Sequence, residues 1–102
     1  TVLHLVGFSL GGAVAQLAAA SLHGAFDVRV ISFAAPKIGA HDFCSRLNKV
    51  AITRDELIGA VVPTLPPLPA FHSAGRCIPL GDWVPDAKPE HTRQAYRSAL
   101  QK

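Results

Sequence analysis

The chain has no methionine, one tryptophan and one tyrosine, and only 17% of its 102 residues are charged. Its two cysteines, Cys44 and Cys77, lie far apart without C-x-x-C spacing, which excludes a disulfide-rich scaffold. One disulfide and two free thiols both stay open. The five histidines form neither an H-x-x-x-H pair nor a cysteine–histidine set, so no metal-binding motif is present in the sequence.

Charge and hydropathy exclude two further classes. The formal net charge of +3 is spread without a basic cluster or an aromatic ladder, which argues against nucleic-acid binding. No apolar run reaches the length that crosses a membrane. The hydrophobic fraction of 49% instead predicts a buried core within one domain. Because Thr1 already stands in a predicted strand, we expect the natural start to lie upstream, which leaves a signal peptide and the location open.

A G-x-S-x-G motif at residues 7–11 is the most informative stretch of the chain. An apolar run at residues 2–6 precedes it and an alanine-rich helical pattern follows it. This strand, turn and helix form the context of a nucleophile elbow, so Ser9 is the candidate nucleophile. We expect a Cβ at Gly7 or Gly11 to collide with its surroundings, and the N–H of Leu10 to point at a developing oxyanion.

The rest of the chain alternates between strand and helix patterns. The predicted elements are a helix at 10–22 with Gly24 as C-cap, a strand at 28–34, a short helix at 41–49, a strand at 50–53 closed by 54–56, a proline-rich loop, a poor edge strand at 72–80, and a helix at 89–102. This alternation predicts an α/β fold with a parallel sheet of about three to four strands and flanking helices.

A serine hydroxyl needs a base, and the base needs a group that orients it. In α/β hydrolases the chain order is serine, then acid, then histidine. Asp55 and Glu56 stand directly after the predicted strand 50–53, and His91 stands at the head of the last helix. Order and topology therefore predict a triad of Ser9, Asp55 and His91; a further candidate acid, Asp82, comes from the resemblance described next.

Three blocks of the sequence resemble class 3 lipases, the fungal-lipase-like branch of the α/β hydrolases. They are G-F-S-L-G-G-A at 7–13, F-A-A-P-K-I-G at 33–39 and V-P-T-L-P-P at 62–67. The family has G-H-S-L-G-G-A, F-G-A-P-R-V-G and D-x-V-P-x-L-P-P in that order, then a histidine–glycine segment similar to residues 72–75 and a catalytic histidine ahead of a tyrosine, similar to residues 91–96. The resemblance implies that residues 1–102 are the C-terminal half of such a domain, without its early strands, lid and other oxyanion donor.

The sequence also departs from the family pattern. Phe8 stands for the usual histidine beside the nucleophile, Ala34 for a glycine, and Ala40 for a frequent asparagine. Ala60 occupies the position of the family's aspartate, three residues before Pro63. Taking Asp55 as the acid requires a few inserted residues at 57–61. Asp82, within D-W-V-P, follows the histidine–glycine segment instead of preceding it, so Asp55 is preferred. The resemblance implies that His72 has a structural role or lines the site.

The resemblance implies a serine hydrolase of carboxylic esters, most readily a lipase or related lipid esterase that meets a lipid surface transiently and needs no metal or organic cofactor. Phospholipase A1 and galactolipase activities fall within the same chemistry. The alternative is a non-catalytic remnant or a hydrolase-like binding module. An unpaired apolar strand edge promotes aggregation. We therefore expect the isolated chain to be poorly soluble and inactive on p-nitrophenyl esters.

Overall fold

The computed structural model describes residues 2–82 and 88–101. In chain order its elements are β1 (Val2–Phe8), α1 (Leu10–Leu22), β2 (Asp27–Phe33), β3 (Gly39–Ala40), α2 (His41–Ser45), β4 (Ala51–Leu57), a 3-10 turn (Val62–Thr64), β5 (Phe71–His72), β6 (Arg76–Leu80) and α3 (Arg93–Leu100). Four parallel strands form one sheet in the order β1-β2-β4-β6, and β3 pairs with β5. The predicted α/β parallel sheet is confirmed.

One face of the sheet packs against α1. Val28 and Val30 of β2 are buried while their neighbours in the strand are exposed, which is the period of two expected for a strand with one covered face. Ala15 and Ala19 of α1 lie against this face and are also buried. Their small side chains allow the helix to lie close to the sheet, and Leu47 extends the same core.

The other face of the sheet carries a second, smaller core beneath α3. Tyr96 is its centre, with a side chain only 3% exposed. The Tyr96 ring meets Phe8 and Phe33 edge-on, and its hydroxyl accepts a hydrogen bond of 3.0 Å from the N–H of Leu57. These contacts fix α3 over the carboxyl ends of β1, β2 and β4.

Strand β4 is longer than the sequence predicts. It continues to Leu57, so the prediction that residues 54–56 close the strand is wrong. Parallel pairing with β6, which lies at the sheet edge as predicted, extends it. The charges are tolerated there because Arg54 and Glu56 form an ion pair of 2.6 Å, and Arg54 also donates to the carbonyl of Ala74.

Helix boundaries differ from the predictions at two places. The last helix begins at Arg93 instead of Pro89, because Thr92 is its N-cap: the Thr92 hydroxyl accepts a hydrogen bond of 3.0 Å from the N–H of Ala95. Helix α2 ends at Ser45, four residues earlier than expected. Helix α1, in contrast, has the predicted bounds, but its C-cap is His23 and not the predicted Gly24. His91 therefore lies in the loop just before the cap of α3.

Some apolar surface of the sheet stays exposed. On the face that α3 covers only in part, Val6 is 64% exposed and Ile31 is 40% exposed. Strand β1 is an edge strand of the described sheet. The cysteines are both free thiols, Cys44 buried and Cys77 exposed. None of the helices within residues 2–82 and 88–101 is long and apolar enough to cross a membrane.

The three glycines around Ser9, at positions 7, 11 and 12, have different surroundings. A Cβ at Gly7 would overlap the carbonyl of Gly11, as predicted. A Cβ at Gly11 would meet nothing within 4 Å, so the crowding expected there is wrong. A Cβ at Gly12 would lie 2.9 Å from Cβ of Ala35 and 3.1 Å from Cβ of Ser32. Gly12 is thus the residue that allows α1 to approach β2.

Alanine substitutions at Gly11 and Gly12 should have opposite effects on the free energy of unfolding. Gly12→Ala should lower the free energy of unfolding by about 1–3 kcal/mol, because the new methyl group forces the helix away from β2. Gly11→Ala, the matched control in the same turn, should raise it by about 0.5–1 kcal/mol through the helix preference of alanine. Urea unfolding measures both. Equal effects would contradict the packing described.

Candidate active site

The backbone of Ser9 is held in a conformation that side-chain-bearing residues avoid. Its φ is 56° and its ψ is −125°, in the turn between β1 and α1. Such a conformation costs roughly 1–3 kcal/mol and persists only where the surroundings enforce it. Here the Ser9 N–H donates to the carbonyl of Phe33 at 2.8 Å, and the Ser9 carbonyl accepts from the N–H of Gly12 at 2.9 Å. Strand and helix together impose the turn.

The structure brings Ser9 and His91 together. Ser9 Oγ lies 2.6 Å from Nε2 of His91, although 82 positions separate them in the chain. When the proton of the neutral imidazole is on Nδ1, Nε2 accepts this hydrogen bond from the hydroxyl. This is the geometry in which an imidazole removes the proton of a serine nucleophile.

Leu10 supplies the first N–H group of α1. Among the described residues this N–H has no hydrogen-bond acceptor, as is usual at a helix N-terminus. The first-turn N–H groups carry partial positive charge, which favours an anion beside them. The position fits an oxyanion donor next to Ser9, and that role of Leu10 stays a prediction.

Asp55 lies inside β4, buried, and is paired with Phe33 of β2 and with Ile78 of β6. Side chains alternate along a strand, so Asp55 shares the α3 face with Leu57. Within the described part of the chain, no hydrogen bond or ion pair joins Asp55 to His91. Burial raises the pKa of the Asp55 carboxyl above its ordinary value. Its role as the acid stays a prediction that no contact supports.

The other predicted residues lie outside the Ser9–His91 pair. Asp82 is exposed just beyond β6, and no contact in residues 2–82 or 88–101 joins it to His91. The rest of its D-W-V-P string, residues 83–85, lies outside the described residues. His72 pairs with Gly39, and its carbonyl accepts from the N–H of Ile38, which is a structural role.

Two contributors near the site were not predicted from the sequence. Phe8 stacks on the ring of His91, with centroids 5.0 Å apart and planes 24° apart. Gln16 is fully buried behind the elbow, where its Nε2 donates to Ser32 Oγ at 3.0 Å. The sequence signal for Gln16 was a glutamine on the buried face of an alanine-rich helix. The signal for Phe8 was an aromatic residue in place of the usual histidine beside the nucleophile.

An open apolar groove of about 440 Å³ adjoins the site between the end of β1 and α3. Its floor includes Val6, Phe8, Phe33 and Tyr96, with Leu100 at one end. Phe8 is shared between this groove and the ring of His91. Apolar surface therefore lies next to the hydroxyl–imidazole pair.

Comparison with known proteins identifies the family of this chain. The sequence profile of the family described as lipase (class 3) matches residues 1–70, more than half of the chain. The chain belongs to the class 3 lipase family. The resemblance drawn from its motifs is thereby confirmed. A comparison with curated protein sequences gives no match.

Solved structures of lipases share the fold. Lip2 lipase from Yarrowia lipolytica superposes with a TM-score of 0.71 at 23% identity, over 78% of this chain and 32% of that one. The lipase of Rhizomucor miehei, in a propeptide complex, gives 0.70 at 27% identity over 78% and 28%. The lipase of Rhizopus microsporus var. chinensis gives 0.58 at 25% over 63% and 25%. The chain thus spans a third or less of these lipases, and the α/β-hydrolase fold is confirmed.

Asp55→Asn should change how stability depends on pH. Burial raises the pKa of the Asp55 carboxyl in the folded protein above the ordinary 3.8. The protonated carboxyl therefore makes its full contribution to the free energy of unfolding below pH 3.8. This contribution is lost as the pH rises through the folded-state pKa. Asparagine does not ionise, so the variant should gain stability relative to the wild type between pH 3.8 and 7. Urea unfolding across this range tests it, with Asp82→Asn, at an exposed site, as control. A constant difference at all pH values would contradict the burial of a charged group.

Proposed function

We propose that this chain carries the nucleophile and the general base of a serine hydrolase that cleaves carboxylic esters, with lipid esters as the substrate class. The observation that carries the proposal is the distance of 2.6 Å between Ser9 Oγ and Nε2 of His91. Membership of the class 3 lipase family supports the same chemistry.

The reaction follows from the geometry of these two side chains. His91 Nε2 takes the proton of Ser9 while Oγ attacks the ester carbonyl carbon, and the negative charge moves to the carbonyl oxygen, where the N–H of Leu10 stabilises it. His91 then passes the proton to the departing alcohol, which leaves an acyl-serine. Water, deprotonated by His91, attacks this ester; the bond from the acyl carbon to Oγ breaks, His91 returns the proton to Oγ, and the carboxylic acid and the free serine are released. The steps need no metal or organic cofactor.

Apolar surface around Ser9 supports a lipid as substrate. Leu10, adjacent to the nucleophile, is 70% exposed, and Val14 and Leu17 are 54% and 44% exposed one and two turns further along α1. Together with the apolar groove beside Phe8 they surround the site with surface suited to acyl chains. We propose transient contact with a lipid surface here. Phospholipase A1 and galactolipase activities fit the same proposal.

A second candidate function is a hydrolase-like module without catalysis. One observation favours it: within the described residues no carboxylate contacts His91. Ala60, at the position where the family has its aspartate, is part of the α3 core and has no ionisable group. A fold of this class hosts both catalytic and non-catalytic proteins, so the two candidates must be separated at Ser9.

A fluorophosphonate probe should label Ser9 covalently in the natural protein. Peptide mass spectrometry should locate the adduct on Ser9, and Ser9→Ala should abolish it. His91→Gln should slow labelling by about 10²–10⁴-fold, because the general base is lost. If Ser9 carries no adduct while the protein is folded, the non-catalytic candidate is correct.

Asparagine variants of the two predicted acids should settle the third member of the triad. Removing a triad acid lowers kcat by about 10⁴-fold. Because no hydrogen bond or ion pair joins Asp55 or Asp82 to His91 in this structure, we expect Asp55→Asn and Asp82→Asn each to keep ester hydrolysis within about tenfold of the wild type. A loss near 10⁴-fold in one variant alone would identify that carboxylate as the acid.

A further inference from the structure

We propose that Phe8 is a positioning residue, which holds the imidazole of His91 against Ser9. The inference rests on the proposed function, since it concerns the base of the same reaction. His91 is exposed and lies in the loop ahead of α3, where a side chain without partners would rotate freely. Stacking on Phe8, at 5.0 Å between centroids, restricts that rotation and keeps Nε2 facing the hydroxyl.

Phe8 is itself fixed on two sides. Phe8 is the last residue of β1, and its backbone pairs with that of Phe33 in β2. Its ring meets the ring of Tyr96 at 6.0 Å and 77°, and the hydroxyl of Tyr96 is held by the N–H of Leu57. A continuous set of contacts therefore leads from β4, through Tyr96 and Phe8, to the imidazole.

In a serine triad a carboxylate orients the imidazole from the Nδ1 side. Among residues 2–82 and 88–101, no carboxylate is in hydrogen-bonding or ion-pairing contact with His91. Among these described residues, the ring of Phe8 is the contact that restricts the imidazole from its face, beside the hydrogen bond to Ser9. Aromatic pairs of this kind change equilibria by about 2- to 12-fold beyond the effect of burial.

Three substitutions separate positioning from general packing. Phe8→Leu removes the stacking ring and keeps an apolar side chain, and Phe8→Tyr restores a ring. Phe43→Leu is the matched control, because Phe43 is also half-buried and packs in the core on the α1 face of the sheet. Phe43 does not line the groove beside Phe8 and makes no aromatic contact with His91 or Tyr96 among the described residues.

Two readouts should be measured on each variant of the natural protein. The first is kcat and KM for a p-nitrophenyl ester. The second is the nuclear Overhauser effect between the β protons of Ser9 and Hε1 of His91, which reports the pair without turnover. We expect Phe8→Leu to lower kcat by about 3- to 10-fold with KM unchanged and to weaken the Overhauser effect. Phe8→Tyr and Phe43→Leu should keep both near the wild-type values.

An Overhauser effect that persists in Phe8→Leu would overturn the inference, and so would equal losses in Phe8→Leu and Phe43→Leu. A change in KM alone would mark Phe8 as a substrate contact in the groove and would also overturn it. If the wild type shows no hydrolysis and no probe labelling, while the Overhauser effect is lost only in Phe8→Leu, the positioning role stands and the proposed function fails.

Discussion

The parallel register of the sheet places Phe8, Phe33, Asp55 and Ile78 in a single row across its four strands. Tyr96 packs on Phe8 and Phe33 of this row, and its hydroxyl accepts a hydrogen bond from the N–H of Leu57. Helix α3 is held by these contacts, and the loop that leads into α3 carries His91 to Ser9. A change in the register would therefore displace the core under α3 and the candidate active site together.

The same row bears on Asp55, which makes no hydrogen bond or ion pair with His91. The imidazole lies on Phe8 in β1, while Asp55 belongs to β4, two strand positions away. Neighbouring strands are spaced by about 4.8 Å, so the two places are separated by roughly 10 Å along the row. Chain order identifies the strand that bears an acid in this fold, but the reach of the side chain depends on where along that strand the residue stands.

Much of the fold could be predicted from local sequence. The nucleophile elbow, the bounds of α1 and the strand at β2 follow from G-x-S-x-G, alanine content and β-branched runs. The length of β4 could not be predicted in this way, because it depends on pairing with β6, whose residues come after a long proline-rich loop. Pro89 and Thr92 are both residues that commonly begin a helix. In the structure α3 begins after Thr92, and Tyr96 of this helix packs against Phe8 and Phe33. The crowding at Gly12 depends on how α1 is rotated against β2, which a motif spacing does not specify.

The positive φ of Ser9 has a consequence for how this protein could change. Glycine accepts such a backbone without strain, so its replacement of Ser9 would relieve the turn while removing the hydroxyl. Selection for thermal stability alone and selection for a nucleophile therefore act in opposite directions at one residue. A thermostabilised lineage in which ester hydrolysis was not required would be expected to lose its serine at this turn before it lost the fold around it.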